Sequence, residues 1–277
     1  MNIFDLRGAK YFCSEPLPSH TPNASLKAYN RALPRGTIIA KEGTPRFEEI
    51  RAHILRDVER CLFVAASQYT RSFDLMMASS ASWTHVTLYY GGFFAAKSLL
   101  GMFGGWIDSP FILIEVTNPS PGSQELRIRQ RLSGVPMSHR GFWQEFYNAF
   151  NNLLVHIDPQ YHFAVQPMSS DPFWLVDRRN DINYDTHYAL HLGEQFNQSF
   201  DATSFPSCLP AEMNTQYRVT EALINLAFAF AKDLQLSTDA LNMIGSSTTR
   251  STKIEKMILR CSRPRLKSKI NSNMLLV

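Results

Sequence analysis

The chain has 277 residues, of which 44% are hydrophobic, so it can bury a sizeable core and is not a disordered polymer. Cys13, Cys61, Cys208 and Cys261 are widely spaced with no C-x-x-C pair, so neither a zinc ribbon nor a disulfide framework is indicated and the cysteines are read as reduced. The net charge of +4 conceals an asymmetry: eight basic side chains against Glu255 give residues 250–277 a charge of +7, leaving −3 for the rest.

Residues 1–45 contain Pro16, Pro18, Pro22, Pro34 and Pro45 with little periodicity, which describes an extended arm or irregular lead-in. No apolar run in MNIFDLRGAKYF fits a signal peptide, so the expected location is cytoplasmic. From Phe47 the pattern becomes helical: Phe47, Ile50, Ile54, Val58, Cys61, Leu62 and Ala65 recur at spacings of three and four. A second helix is predicted over 83–103, beginning near Trp83. Within it, Val86–Trp106 is long enough to span a bilayer, but Lys97 and two Gly-Gly pairs fit a helix enclosed by other helices better.

FILIEV (Phe111–Val116), the turn-rich NPSPGS and the alternating ELRIRQRL read as a β-hairpin inserted at about 107–135. Phe142, Phe146, Phe150, Leu153 and Leu154 then line a third helix, with Ser138 as its expected cap. A fourth helix is expected in FWLVDRRNDINYDTHYALHL (Phe173–Leu192) and a fifth over Asn214–Gln235. The expected fold is mainly α: a bundle of about five helices over residues 46–235, with the hairpin and a basic segment at 236–277. In that segment Arg260, Arg263, Arg265, Lys267 and Lys269 are candidate nucleic-acid contacts.

Along the fourth helix Ile182, Thr186, Ala189, Gly193 and Phe196 gather in a narrow arc expected to face the bundle interior. Asn180, Tyr184, His187 and His191 then form an opposite polar stripe, with Arg179 and Asn183 along one flank. Tyrosine and histidine beside arginine suit an interface, because guanidinium and amide groups organise hydrogen bonds to phosphate.

LYYGGFFAAKSLLGMFG (Leu88–Gly104), SHRGFWQEF (Ser138–Phe146) and RRNDINYD occur in an order that resembles the HEPN superfamily of helical bundles, particularly those beside minimal nucleotidyltransferases in bacterial toxin-antitoxin pairs. The resemblance covers roughly residues 50–232. It implies metal-independent RNA cleavage at a homodimer cleft, with no cofactor, Arg179 on the scissile phosphate, and Arg178, Asn180 and Tyr184 positioning it. It also implies a bacterial defence or toxin-antitoxin setting, with a nucleotidyltransferase-type antitoxin or another defence subunit as partner.

The active-site pattern of the family has a histidine about four to six residues beyond the arginine and polar pair. At the shortest spacing this chain has Tyr184, whose hydroxyl titrates near pH ~10 and serves as a fixed donor rather than a base. His187, one position past the longest spacing, is the alternative acid or base. A non-catalytic RNA-binding or assembly module is the competing expectation. His139 starts the third helix near a position where the family also has a histidine, and is read first as structural. His53, His85, His156 and His162 are read as surface or satisfied structural histidines, not metal ligands. The glycine pairs and the aromatic sets Tyr89, Tyr90, Phe93, Phe94 and Phe142, Phe146, Phe150 are read as packing.

Overall fold

The computed structural model describes residues 36–108, 112–118, 122–130, 139–154, 170–201 and 204–233, with Ala9, Phe12, Cys13, Leu26, Ala28 and Tyr29. These residues form six helices and four strands. Strand β1 (Thr37–Lys41) precedes α1 (Pro45–Met77) and α2 (Ala81–Met102). Then come β2 (Trp106–Asp108), β3 (Ile112–Val116), β4 (Glu125–Gln130) and α3 (His139–Leu154). The chain continues with α4 (Trp174–Tyr184), α5 (Thr186–Ser199) and α6 (Ala211–Asp233).

Helix α1 starts where the sequence offers both a cap and a preset first turn. The Thr44 hydroxyl accepts from Phe47 N–H, and Pro45 occupies a first-turn position whose N–H would have no helical partner. All seven of its predicted apolar positions, from Phe47 to Ala65, are buried. Helix α1 packs along α2, and α2 is covered in turn by α6, α4 and α5. Enclosure explains why α2 is apolar nearly all round. Among the described residues no helix is long and apolar enough to cross a membrane.

Glycines permit this close approach. A Cβ on Gly92 would lie 3.3 Å from Thr220 Oγ1 on α6, and one on Gly101 would lie 2.4 Å from Val58 Cγ2 on α1. The second contact leaves no room for any side chain.

The expected hairpin is present, but it is not an isolated insertion. Strands β3 and β4 sit inside a four-stranded antiparallel sheet of order β1-β4-β3-β2. Strand β1 comes from the stretch read as an irregular arm, pairing Ile39 with Arg127, and β2 directly follows α2, pairing Ile107 with Leu113. Ile114, Val116, Leu126 and Ile128 face the core, which also takes in Phe12 and Leu26 from the same N-terminal stretch.

The expected fourth helix is two helices. Tyr184 ends α4, Asp185 is extended at φ −107 and ψ 97, and its carboxylate accepts from Tyr188 N–H to cap α5. An aspartate that bonds backbone three residues on offers the chain a better alternative than continuing the helix. The single-helix arc and stripe therefore dissolve. Ile182 and Phe196 are buried, Ala189 and Gly193 are half-buried, and Thr186 is exposed.

Helices α2 and α6 lie within three residues of their expected starts. Ser138, Phe111, His156, His162, Cys261 and the 236–277 segment, including Arg260, Arg263, Arg265, Lys267 and Lys269, lie outside the described residues. So do the side chains of Phe150, Leu153 and Leu154 in α3.

Candidate functional site

Helix α4 is anchored by buried Leu175, Val176 and Ile182. Arg179 follows Leu175 by four and precedes Ile182 by three, so it lies on the same inward face. Its side chain is half-buried against α2, not on an outward flank. Arg179 Nη2 donates to the Tyr90 hydroxyl at 3.1 Å, and Nη1 donates to Asn180 Oδ1 at 2.9 Å. The guanidinium also lies 5.8 Å from the ring centres of both Tyr89 and Tyr90. Among the described residues no carboxylate pairs with it. Its Nε is buried without a partner.

The same two tyrosines bring in His139, the first residue of α3. Tyr89 and His139 Nδ1 share a hydrogen bond of 2.5 Å, and Trp143 Nε1 donates to the Tyr89 oxygen at 3.3 Å. His139 also packs on Phe93, with ring centres 4.7 Å apart. Burial holds the imidazole below its usual range, and the cations of Arg179 and Lys97 push it the same way. Burial pushes the Tyr89 hydroxyl far up, so it remains a proton donor at neutral pH. Both groups are therefore uncharged beside a permanent cation.

Arg178, one residue away, has a different environment. It pairs with Asp181 and with Glu212 of α6, both at 3.4 Å, and lies over the Tyr188 ring at 5.7 Å. Tyr188 in turn donates to Glu212. Beneath this network His85 is fully buried, with neither ring nitrogen hydrogen-bonded. Burial, then the nearby Arg178 charge, pushes its pKa down to about 3. His85 is thus buried but not satisfied, which corrects its reading as a surface or satisfied histidine.

Of the remaining sequence candidates, Asn180 is half-buried and holds Arg179. Tyr184 is 78% exposed at the end of α4. His187 is exposed on α5, beyond the break, and no described contact joins it to Arg179. His191 is exposed and bonds Gln195 at 2.9 Å. The aromatic sets are largely packing: Tyr89, Phe142 and Phe146 are buried, while Tyr90, Phe93 and Phe94 form the half-buried edge that borders Arg179 and His139.

Sequence reasoning missed Tyr89, Tyr90 and His139 as neighbours of Arg179. The spacing of Arg179 between Leu175 and Ile182 carried its inward orientation. Nothing local carried the pairing of Tyr89 with a histidine 50 residues later.

A cavity of about 220 Å³ lies elsewhere, between the sheet and α3, lined by Leu100, Ile107, Ile114 and Ala149 with Glu115 and Glu145. Glu115 is already paired with Arg129 at 2.7 Å. Among the described residues no group of three or more His, Cys, Asp and Glu side chains forms a metal-ion set. The arrangement best suited to a ligand is therefore the Arg179 edge, where an uncompensated cation and an imidazole can meet an oxyanion. No family model, no curated protein and no solved structure matches the chain.

Proposed function

We propose that this chain is a HEPN-like protein of a bacterial defence or toxin-antitoxin system that acts on RNA, with Arg179 contacting a phosphate of the strand. The observation that carries the reading is the environment of Arg179: half-buried, held by Tyr90 and Asn180, and paired with no described carboxylate. A guanidinium in that setting gains from an incoming anion, and the phosphodiester backbone supplies one. The mainly helical bundle and the packing of the arginine helix on the Tyr-Tyr helix agree with the resemblance read from the motifs.

In the catalytic version, Asn180 and Tyr184 position the strand, Arg178 is held back by Asp181 and Glu212, and His187 acts as acid or base at a homodimer cleft without metal or cofactor. The test is RNA cleavage by wild type against Arg179→Ala, with solution mass measured on the same samples. Cleavage lost with Arg179→Ala supports the reading, whereas wild-type protein that neither binds nor cuts RNA overturns it.

The position of His187 favours a second, non-catalytic version, in which the chain binds RNA or assembles with a partner subunit. That imidazole lies beyond the Asp185 break, and Tyr184 takes the motif position. Binding without cleavage distinguishes this version. The basic segment with Arg260, Arg263, Arg265, Lys267 and Lys269 is proposed to add phosphate contacts. Removing residues 250–277 should then flatten the salt dependence of RNA binding.

A further inference from the structure

We propose that His139 is the second arm of the Arg179 anion site: its Nε2–H, held in that tautomer by Tyr89, and the Arg179 guanidinium bind one phosphoryl group within a single chain. The inference rests on the reading of Arg179 as a phosphate contact, and adds to it a donor, a tautomer and a complete site without a second subunit.

Hydrogen-bond accounting points to the tautomer. Trp143 Nε1 has only a proton to offer, so at 3.3 Å it donates to the Tyr89 oxygen. Among the described residues the hydroxyl proton of buried Tyr89 has one acceptor, His139 Nδ1 at 2.5 Å, and the reverse direction would strand that proton. A neutral imidazole that accepts at Nδ1 carries its proton at Nε2. No described residue takes a hydrogen bond from that nitrogen. Tyr89 is therefore a positioning residue, and Trp143 fixes Tyr89.

Arg179 and His139 reach the same place because Tyr89 and Tyr90 are consecutive on α2 and touch both. Arg179 lies 5.8 Å from each tyrosine ring centre, and the His139 ring centre lies 5.7 Å from Tyr89 and 6.2 Å from Tyr90. The charged and titratable groups around the imidazole are Arg179 from α4 and Lys97, Tyr89 and Tyr90 from α2. On its own helix, Arg140 is engaged by Asp177 at 2.9 Å. Arg179 has no described carboxylate partner, so an anion beside the imidazole would complement it. An oxyanion bound between the two arms stabilises the charged imidazole and draws a proton onto Nδ1, with the Tyr89 hydroxyl turning to accept.

The test is a sulfate titration of the whole protein, followed by nitrogen-15 spectra of the histidine rings. Sulfate is chosen because its charge is constant near neutrality. The expected result has three parts: His139 as the Nε2–H tautomer in the free protein, a sulfate-dependent rise in its titration midpoint, and sulfate binding about tenfold tighter for each unit of that rise. Arg179→Ala should abolish the sulfate response, and Tyr89→Phe should mix the tautomers while leaving the fold intact by circular dichroism.

A free protein with the Nδ1–H tautomer, or a response confined to His187, overturns the proposal without using any variant. Parallel RNA assays separate the two ideas. A sulfate response at His139 without RNA binding or cleavage removes the RNA reading alone. RNA cleavage dependent on Arg179 with a silent His139 removes this proposal alone.

Discussion

Arg178 and Arg179 are adjacent on one helix, yet α4 turns them into opposite kinds of site. Arg178 leans toward α6, where Glu212 and Asp181 balance its charge and Tyr188 covers it. Arg179 leans toward α2 and finds two tyrosines and an amide. Each has a histidine nearby: His85 under Arg178 is sealed with both nitrogens unbonded, while His139 near Arg179 is half-buried with one nitrogen fixed by Tyr89. A step of about 100° around a helix thus separates a closed, compensated region from an open, uncompensated one. Residue type alone does not separate the two arginines; the presence or absence of a described carboxylate partner does.

The largest expected effect concerns the closed region. His85 binds its proton in the unfolded chain near its ordinary value but in the folded chain only at about 3. Between those values the unfolded state holds more protons, so stability falls as pH is lowered, by up to about 1.4 kcal/mol per pH unit, and is fully present above the unfolded value. Urea unfolding at neutral and acidic pH should show this slope, and His85→Leu should flatten it. An unchanged slope in the variant would mean that His85 is not sealed.

Next comes the open region. Arg179→Ala should weaken sulfate or RNA binding at least about tenfold, or about 1.4 kcal/mol, while Arg178→Ala should change it less than about twofold. Filter binding at fixed salt measures both, and equal losses would erase the contrast between the two arginines. Asp185→Ala removes the carboxylate that accepts from Tyr188 N–H and should destabilise the fold by about 1 kcal/mol, read from thermal melts. Sulfate affinity should not follow, because no described contact joins Asp185 to Arg179.

The smallest effect sharpens the comparison from the other side. Glu212→Gln removes one of two carboxylates from Arg178. Since Glu212 is half exposed, stability should drop by only about 0.2–1 kcal/mol in denaturant titrations. Arg178 then becomes more available to anions, and a slight rise in sulfate affinity is expected. A fall in affinity would show that Glu212 supports the Arg179 site indirectly.

Much of the bundle is legible in the primary structure because helix burial repeats locally. The stretch from Phe47 to Ala65 announces α1, and Gly91, Gly92 and Gly101 announce close helix contacts that α6 and α1 supply. The β3–β4 hairpin is legible for a similar reason, since its alternation and turn lie within twenty residues. Strand β2 has only three residues, too few for a period, and β1 becomes a strand by pairing with β4, more than 80 positions along the chain. The Asp185 break has a local cause, the carboxylate that accepts from Tyr188 N–H, and the apolar arc through Ile182 and Phe196 concealed it.

By itself, the sequence determined a mainly helical chain with an enclosed α2, a hairpin, a basic end and an arginine-rich fourth segment, because composition and short-range periodicity govern those features. Tertiary structure decided that Arg178 is neutralised and Arg179 is not, and that His139 rather than His187 lies near Arg179. Those outcomes depend on which side chains from distant elements meet, and the helix period carries no information about residues more than 30 positions away.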